Sequence, residues 1–313
     1  MRFPLFVCLA VFVFFIVTGG YVFFTACLRR KELPWQVEEE LQKTPMRKYC
    51  QYIAFSKQWL SEHKAEDVYI NSNDNLRLHG LWIPCEGAKG SVIFAHGYRS
   101  TYLLDLSAAL PFYHGLGLNI LIPEQRSHGK SQGRYITFGV KESSDMRRWI
   151  AFHNNTHGEL PVILAGISMG ATTMLNLADK SLPGNVSCIV ADCGFTSPAA
   201  IISDVFHSVI HLPAIPTIWV ADIFARIFAG FSLYEMDTRK ILPHSRIPVL
   251  LIHGSDDGFV PCRMSEEGHS VCAEPKQLLI VNGADHGVSF LVDADGYSAA
   301  VKEFLDKYFI MER

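Results

Sequence analysis

Pro161-Val162-Ile163-Leu164-Ala165-Gly166-Ile167-Ser168-Met169-Gly170 is the stretch that decides the fold. An apolar run passes directly into G-x-S-x-G, the sequence form of a strand–turn–helix elbow that exposes one serine hydroxyl. So tight a turn imposes strained backbone angles on Ser168, and glycines at 166 and 170 remove the side chains that would collide across it. The hydroxyl then stands beside backbone N–H groups at a helix N-terminus. A five-residue pattern of this kind also occurs by chance, and residues downstream supply the rest.

A serine is a poor nucleophile until a base takes its proton, and the base needs a carboxylate to orient it. In elbow folds the partners come in the order Ser, then Asp or Glu, then His. The apolar run 247–252 leads into His253-Gly254-Ser255-Asp256-Asp257-Gly258-Phe259-Val260-Pro261, which places acids in a loop after a strand. The run 278–281 leads into Asn282-Gly283-Ala284-Asp285-His286-Gly287, which places a histidine in the next such loop. The expected catalytic set is therefore Ser168, His286 and an acid. The H-G-x-x-D-x-x-V-P spacing favours Asp257, with Asp256 left to cap or solvate the loop. His286 is preferred among 13 histidines because it follows the last strand between small residues. His253 reads as structural. Met169, directly after the nucleophile, is the expected first backbone donor of an oxyanion hole.

Strand-like apolar runs at 91–94, 119–122, 162–165, 188–191, 249–252 and 278–281 alternate with helical patterns near 104–115, 142–153, 169–180 and 297–309. That alternation predicts an α/β fold with a mostly parallel sheet covered on both faces. Segments 68–70 and 76–83, joined by Asn71-Ser72-Asn73-Asp74-Asn75, predict an antiparallel hairpin at one edge. A net charge of −3 without a basic stripe argues against nucleic acid as a partner. None of the eight cysteines forms a C-x-x-C pair, which supports neither a zinc site nor a thioredoxin motif, and the chemistry expected needs no cofactor. Cys188 and Cys193, flanking an expected strand, are expected to pack as small apolar residues.

With these motifs, Phe94-Ala95-His96-Gly97-Tyr98-Arg99-Ser100, Arg126-Ser127-His128-Gly129-Lys130-Ser131-Gln132-Gly133 and Tyr135-Ile136-Thr137-Phe138-Gly139 complete a resemblance over roughly residues 66–310. The chain resembles the α/β-hydrolase superfamily, most closely its bacterial serine aminopeptidase-like or prolyl-oligopeptidase-like branch. The resemblance implies that the second oxyanion donor is the N–H of Tyr98, with Gly97 allowing close approach, and that an insertion after the sixth strand forms a cap. Such proteins usually carry Asp two residues before the Arg of the R-x-H-G segment. Here that position is Glu124, a scaffold place rather than a catalytic one.

Residues 1–30 are a separate physical object. From Phe3 to Leu28 there is no charged side chain, and 26 helical residues rise about 39 Å, more than a hydrocarbon core of roughly 30 Å. A cleaved signal peptide is disfavoured by the length of the run and the thin positive region before it. A lipoprotein reading around Phe24-Thr25-Ala26-Cys27 matches poorly at Phe24. An uncleaved transmembrane anchor is expected, followed by a linker and helical lead-in over 31–65 and a hydrolase domain over 66–313. Arg29, Arg30 and Lys31 after the span, against Arg2 before it, orient the domain to the cytoplasm, and the scattered cysteines lean the same way.

Between 197 and 246 no strand pattern occurs, and Val205, Phe206, Val209, Ile215, Ile218, Trp219, Ile223, Ile227 and Phe228 make the segment unusually apolar. It is expected to be a helical cap that walls the site for an acyl chain, or one whose residues pack it on the domain. A further reading lets its outer face dip into lipid, against which His207, His211, Asp222 and Arg226 break the pattern. The expected activity is hydrolysis of a carboxylic ester or thioester with an apolar acyl part. Short-peptide hydrolysis, acyl transfer and a membrane-anchored ligand-binding module without turnover are the alternatives. The expected partners are a small-molecule ester or peptide and the membrane; the oligomeric state is not legible.

Overall fold

The computed structural model describes residues 2–30, 47, 50–106, 108–211 and 214–309. Helix α1 (Arg2–Cys27) comes first. The lead-in expected over 31–65 is described at residue 47, as helix α2 (Cys50–Glu62) and over 63–65, while 31–46, 48 and 49 lie outside the described residues. An eight-stranded sheet follows in the order β1-β2-β4-β3-β5-β6-β7-β8. Its strands are β1 (Glu66–Asn71), β2 (Arg77–Ile83), β3 (Gly90–Ala95), β4 (Leu118–Pro123), β5 (Val162–Ile167), β6 (Val186–Asp192), β7 (Val249–Gly254) and β8 (Lys276–Val281).

Each expected strand is present: the six apolar runs extend by two or three residues, β1 by three, and β2 begins one residue later than expected. The hairpin β1–β2 is antiparallel and joins β4 at the edge, while β4-β3-β5-β6-β7-β8 run parallel. Strand residues alternate between two cores. Val92, Phe94, Ile163, Ala165, Leu250 and Ile252 pack on one face, and Ile93, Ala95, Val162, Leu164, Val249 and Leu251 on the other. Both faces are covered, as a buried parallel sheet requires.

Helix α3 (Tyr102–Asp105) and helix α4 (Ala109–Gly115) divide the single helix expected near 104–115. Helix α5 (Val140–His157) starts after Gly139, whose φ of 91° only glycine adopts freely. Helix α6 (Met169–Leu175) leads away from β5. The insertion after β6 is helical, with α7 (Pro198–Ile210) and α8 (Ile215–Phe224) continuing into a π-helical turn Ala225–Ala229, then α9 (Thr238–Ile241). Helix α10 (Arg263–Val271), α11 (Ser289–Val292) and α12 (Ala294–Tyr308) complete the order.

The chain leaves β3, adds β4 on one side, then returns to add β5 on the other. Such a reversal opens a crevice at the carboxyl ends of the two central strands. It brings the loop after β3 beside the elbow after β5, with Ala95 opposite Gly166 in register.

Candidate active site

Ser168 sits at φ 55° and ψ −119°, a conformation that costs on the order of 1–3 kcal/mol for a residue with a Cβ. Its surroundings enforce it. A side chain at Gly166 would run into the backbone of Gly170 and Ala171, and one at Gly170 into the carbonyls of Ala95 and His96. Ser168 N–H donates to the Asp192 carbonyl at 2.8 Å, which ties the elbow to the end of β6.

The three sequence-selected side chains meet. Ser168 Oγ donates to His286 Nε2 at 3.0 Å, and His286 Nδ1 donates to Asp257 Oδ2 at 2.7 Å. Asp257 Oδ1 accepts from the N–H groups of Phe259 and Val260 at 2.9 and 2.8 Å. Burial alone would raise the Asp257 carboxyl. Hydrogen bonds from His253 and His286 outweigh that and hold it well below the usual carboxylate range. The neighbouring acid takes another path: exposed Asp256 accepts from Ser255 Oγ at 2.6 Å and does not reach His286. Asp285, also beside the histidine in sequence, accepts from the N–H groups of Gly258 and His286 and pins the two late loops together.

The backbone donors are positioned as follows. Met169 is the first residue of α6, where an N–H has no intrahelical partner. In the loop after β3, Gly97 N–H donates to Asp105 Oδ2 at 2.6 Å and Arg99 N–H to His128 Nε2 at 2.9 Å. Between them, the Tyr98 N–H is engaged by none of the bonds described for this loop. Gly97 is close packed: an added Cβ would stand 3.4 Å from Ser168 Cβ and 3.0 Å from Asp105 Oδ2. His128, pushed down to about 3 by burial and by His96, stays neutral and keeps Nε2 as an acceptor.

Glu124 holds the scaffold place expected for it. Its carboxylate accepts from His79 Nδ1 at 2.8 Å and Lys130 N–H at 2.6 Å, bracing the R-S-H-G segment. Cys188 and Cys193 are buried in the core, as expected. Cys193 Sγ, Asp257 and His286 bring three donor atoms close together; the Asp257–His286 hydrogen bond already engages two of them, and burial pushes the Cys193 thiol far up.

A cavity of about 600 Å³ opens beside Ser168 and His286. Its wall is mostly apolar, with Leu104, Ala108, Ile167, Val288, Phe290 and Leu291 among the residues that face it. None of the described residues lining it comes from 197–246, so of the two expected readings of the cap this cavity matches packing on the domain and not an acyl wall. The cap instead packs on α1 and Met169 through Ile201, Ile202, Ile218, Ala221 and Ala225, and turns Ile215, Trp219, Ile223 and Ile227 outward.

Two acids of this cavity, half-buried Asp105 and buried Asp192, have no counterpart among the sequence expectations. Asp105 accepts from Gly97 N–H and Ser100 Oγ, and burial pushes it up. Asp192 accepts from Ser289 Oγ at 3.0 Å, and burial pushes it up to about 6. Asp192 ends a strand run, which is the one signal that pointed to it; Asp105 lies in a short helix with no motif.

Comparison with known proteins agrees with this architecture. The chain is 27% identical over 230 residues to the uncharacterized protein YqkD of Bacillus subtilis, covering 73% of this chain and 75% of that one. It is 22% identical over 244 residues to protein bem46 of Schizosaccharomyces pombe, covering 77% and 76%. Its fold superposes on the Pyrococcus furiosus esterase Pf2001 with a TM-score of 0.63 and 25% identity, over 80% of this chain and 93% of that one. A family model described as the alpha/beta hydrolase family matches residues 92–300, well over half of the sequence, and the chain belongs to the α/β-hydrolase family.

Proposed function

We propose that this hydrolase is a serine esterase that works through an acyl-enzyme on a carboxylic ester or thioester with an apolar acyl part. The observation that carries the reading is the continuous hydrogen-bonded chain Ser168–His286–Asp257 at the mouth of an apolar cavity. In the first step Ser168 Oγ bonds to the substrate carbonyl carbon while His286 Nε2 takes its proton, and the Asp257 carboxylate stabilises the imidazolium that forms. The carbonyl oxygen becomes an oxyanion facing the N–H groups of Met169 and Tyr98. His286 then delivers the proton to the leaving oxygen or sulfur, the C–O or C–S bond breaks, and water repeats the sequence to release the acid.

The esterase solved from Pyrococcus furiosus supports ester chemistry by analogy of fold and sequence. Membership of the aminopeptidase-like branch is the second reading. It needs a fixed anion for a substrate ammonium, and the acids lining the cavity fit that poorly. Asp105 and Asp192 are already engaged, by Gly97 N–H and Ser100 Oγ and by Ser289 Oγ, and burial disfavours the charged form of each. Acyl transfer would use the same residues with an alcohol or amine in place of water.

The stretch Phe6–Cys27 is long and apolar enough to cross a membrane. Retention as an anchor, rather than cleavage as a signal, is supported by the burial of Phe23 and Cys27 against the catalytic domain. The proposed orientation keeps that domain in the cytoplasm, on the side of Arg29 and Arg30.

A fluorophosphonate probe tests the nucleophile. The full chain is expected to label and Ser168→Ala not to. Equal labelling of the two, or no labelling of the full chain, would leave a binding module as the better reading. Turnover of p-nitrophenyl esters of increasing length against aminoacyl anilides then separates esterase from peptidase.

A further inference from the structure

The last turn of α1 is built into the loop that follows β3. Tyr98 donates its hydroxyl proton to the Ala26 carbonyl at 2.7 Å. Arg99 Nη2 donates to the carbonyls of Thr25 at 2.6 Å and Leu28 at 3.1 Å, with Ala26 at 3.4 Å. Carbonyls in the last turn of a helix lack intrahelical partners and carry the negative end of its dipole, so a guanidinium fits there without a carboxylate.

This end of the helix is fixed to the domain on every other side. Ile136 N–H donates to the Cys27 carbonyl at 2.7 Å, and Arg29 N–H to the Arg134 carbonyl at 2.8 Å. The Arg29 guanidinium donates to the carbonyls of Ser131 and Gly129, each at 2.6 Å. Further back, an added Cβ at Gly19 would stand 2.5 Å from Val220, so the α1 backbone lies directly on α8. Phe23 and Phe24 pack their rings against Phe224 and Phe228. A mere tether would need none of this.

The far side of the loop is held as firmly. Asp105 accepts from Gly97 N–H and Ser100 Oγ, and His128 accepts from Arg99 N–H. Arg99 itself has a φ of 51°, a region that bulky side chains occupy only under constraint. The Tyr98 N–H lies between these fixed points, and both neighbouring side chains that α1 grips belong to residues 98 and 99.

We propose that the C-terminal turn of the apolar helix is a working part of the active site, with Arg99 as a positioning residue. By holding the guanidinium and the Tyr98 hydroxyl, α1 fixes the loop so that the Tyr98 N–H points at the oxyanion. This rests on the serine-hydrolase reading above, in which that N–H is a donor. A seated helix and a competent oxyanion hole are then one structural event. Arg99 as a plain helix cap would do something different: it would stabilise the fold and leave the chemical step untouched.

The test uses the full chain in nanodiscs, with p-nitrophenyl butyrate as substrate and a trifluoromethyl ketone as the probe of oxyanion binding. Arg99→Gln is expected to lower kcat and ketone affinity in parallel, each by about tenfold or more. KM and the melting temperature are expected to hold, and Arg99→Lys to recover part of the loss. Tyr98→Phe, which deletes one hydroxyl and so preserves folding, is expected to weaken ketone binding to a smaller extent. Unchanged kcat and ketone affinity in both variants would overturn the proposal. So would a loss of melting temperature in Arg99→Gln with ketone affinity intact, the signature of a cap alone. A wild-type chain that neither labels with fluorophosphonate nor turns over esters would overturn the hydrolase reading itself, and this proposal with it; an active wild type with indifferent variants overturns only this one.

Discussion

His253 Nε2 stands 3.2 Å from Asp257 Oδ2, the same carboxylate oxygen that accepts from His286. The ring is wholly buried, held by the Val260 carbonyl at 2.9 Å and Ser265 Oγ at 2.6 Å. A second imidazole therefore supports the acid from behind. His253→Phe removes that support, and a lost hydrogen bond to a charged group corresponds to roughly tenfold or more in kcat/KM. Steady-state kinetics on a p-nitrophenyl ester checks it; wild-type turnover in the variant would refute the supporting role.

The two adjacent acids should separate cleanly. Asp257→Asn is expected to cost on the order of 10⁴ in kcat, because the imidazole loses its orienting charge and its tautomer. Asp256→Asn, altering an exposed side chain bonded to Ser255, should leave kcat near wild type. The Asp257 carboxyl is held below its ordinary value, so its contribution to stability is present above about pH 4 and lost as pH falls through the lowered value. Thermal melts should therefore show the destabilisation of Asp257→Asn at pH 7 shrinking towards acid.

Asp192 should behave in the opposite sense. Its folded carboxyl titrates near 6, above the unfolded value of about 4, so ionisation opposes folding as pH rises from 4 to 6. Asp192→Asn keeps an oxygen for Ser289 Oγ–H and removes the buried charge. It is expected to melt like wild type at pH 4 and to gain stability above pH 6, by at most about 3 kcal/mol. Equal melting temperatures at pH 8 would show that the charge is compensated in the folded state.

Ala108 lines the cavity together with Phe290 and Leu291. Ala108→Phe fills part of that volume and should shift preference towards short acyl chains. A difference of several methylenes in fit, at about 0.8 kcal/mol each, predicts a fall of at least tenfold in the octanoate-to-acetate ratio of kcat/KM. An unchanged ratio would place the acyl group elsewhere. Ile223→Ala, on the outward face of the cap, should leave that ratio alone.

Much of this molecule was legible in its residues because the signals are local. Each parallel strand is a short apolar run buried on both faces, so composition alone marks it. The elbow needs glycine at 166 and 170 for steric reasons visible in five letters, and Asp257 and His286 follow strands in the order the fold imposes. The scaffold place of Glu124 came from the family resemblance, through its position two residues before the Arg of the R-x-H-G segment.

What stayed hidden depends on distance through space. Asp105 and Asp192 carry no motif, since their roles arise from burial and from neighbours brought together by sheet order; His253 lies in the H-G-x-x-D motif, but its support of Asp257 shows only in the folded loop. Apolar content in 197–246 suggested a wall for an acyl chain, yet hydrophobicity does not say which way a helix turns its faces, and packing against α1 claims the inner one. The run 3–28 gave length and apolarity, enough to suggest a span. Only the tertiary structure places its final carbonyls against the Tyr98 hydroxyl and the Arg99 guanidinium, because the acceptors are backbone groups that every sequence possesses.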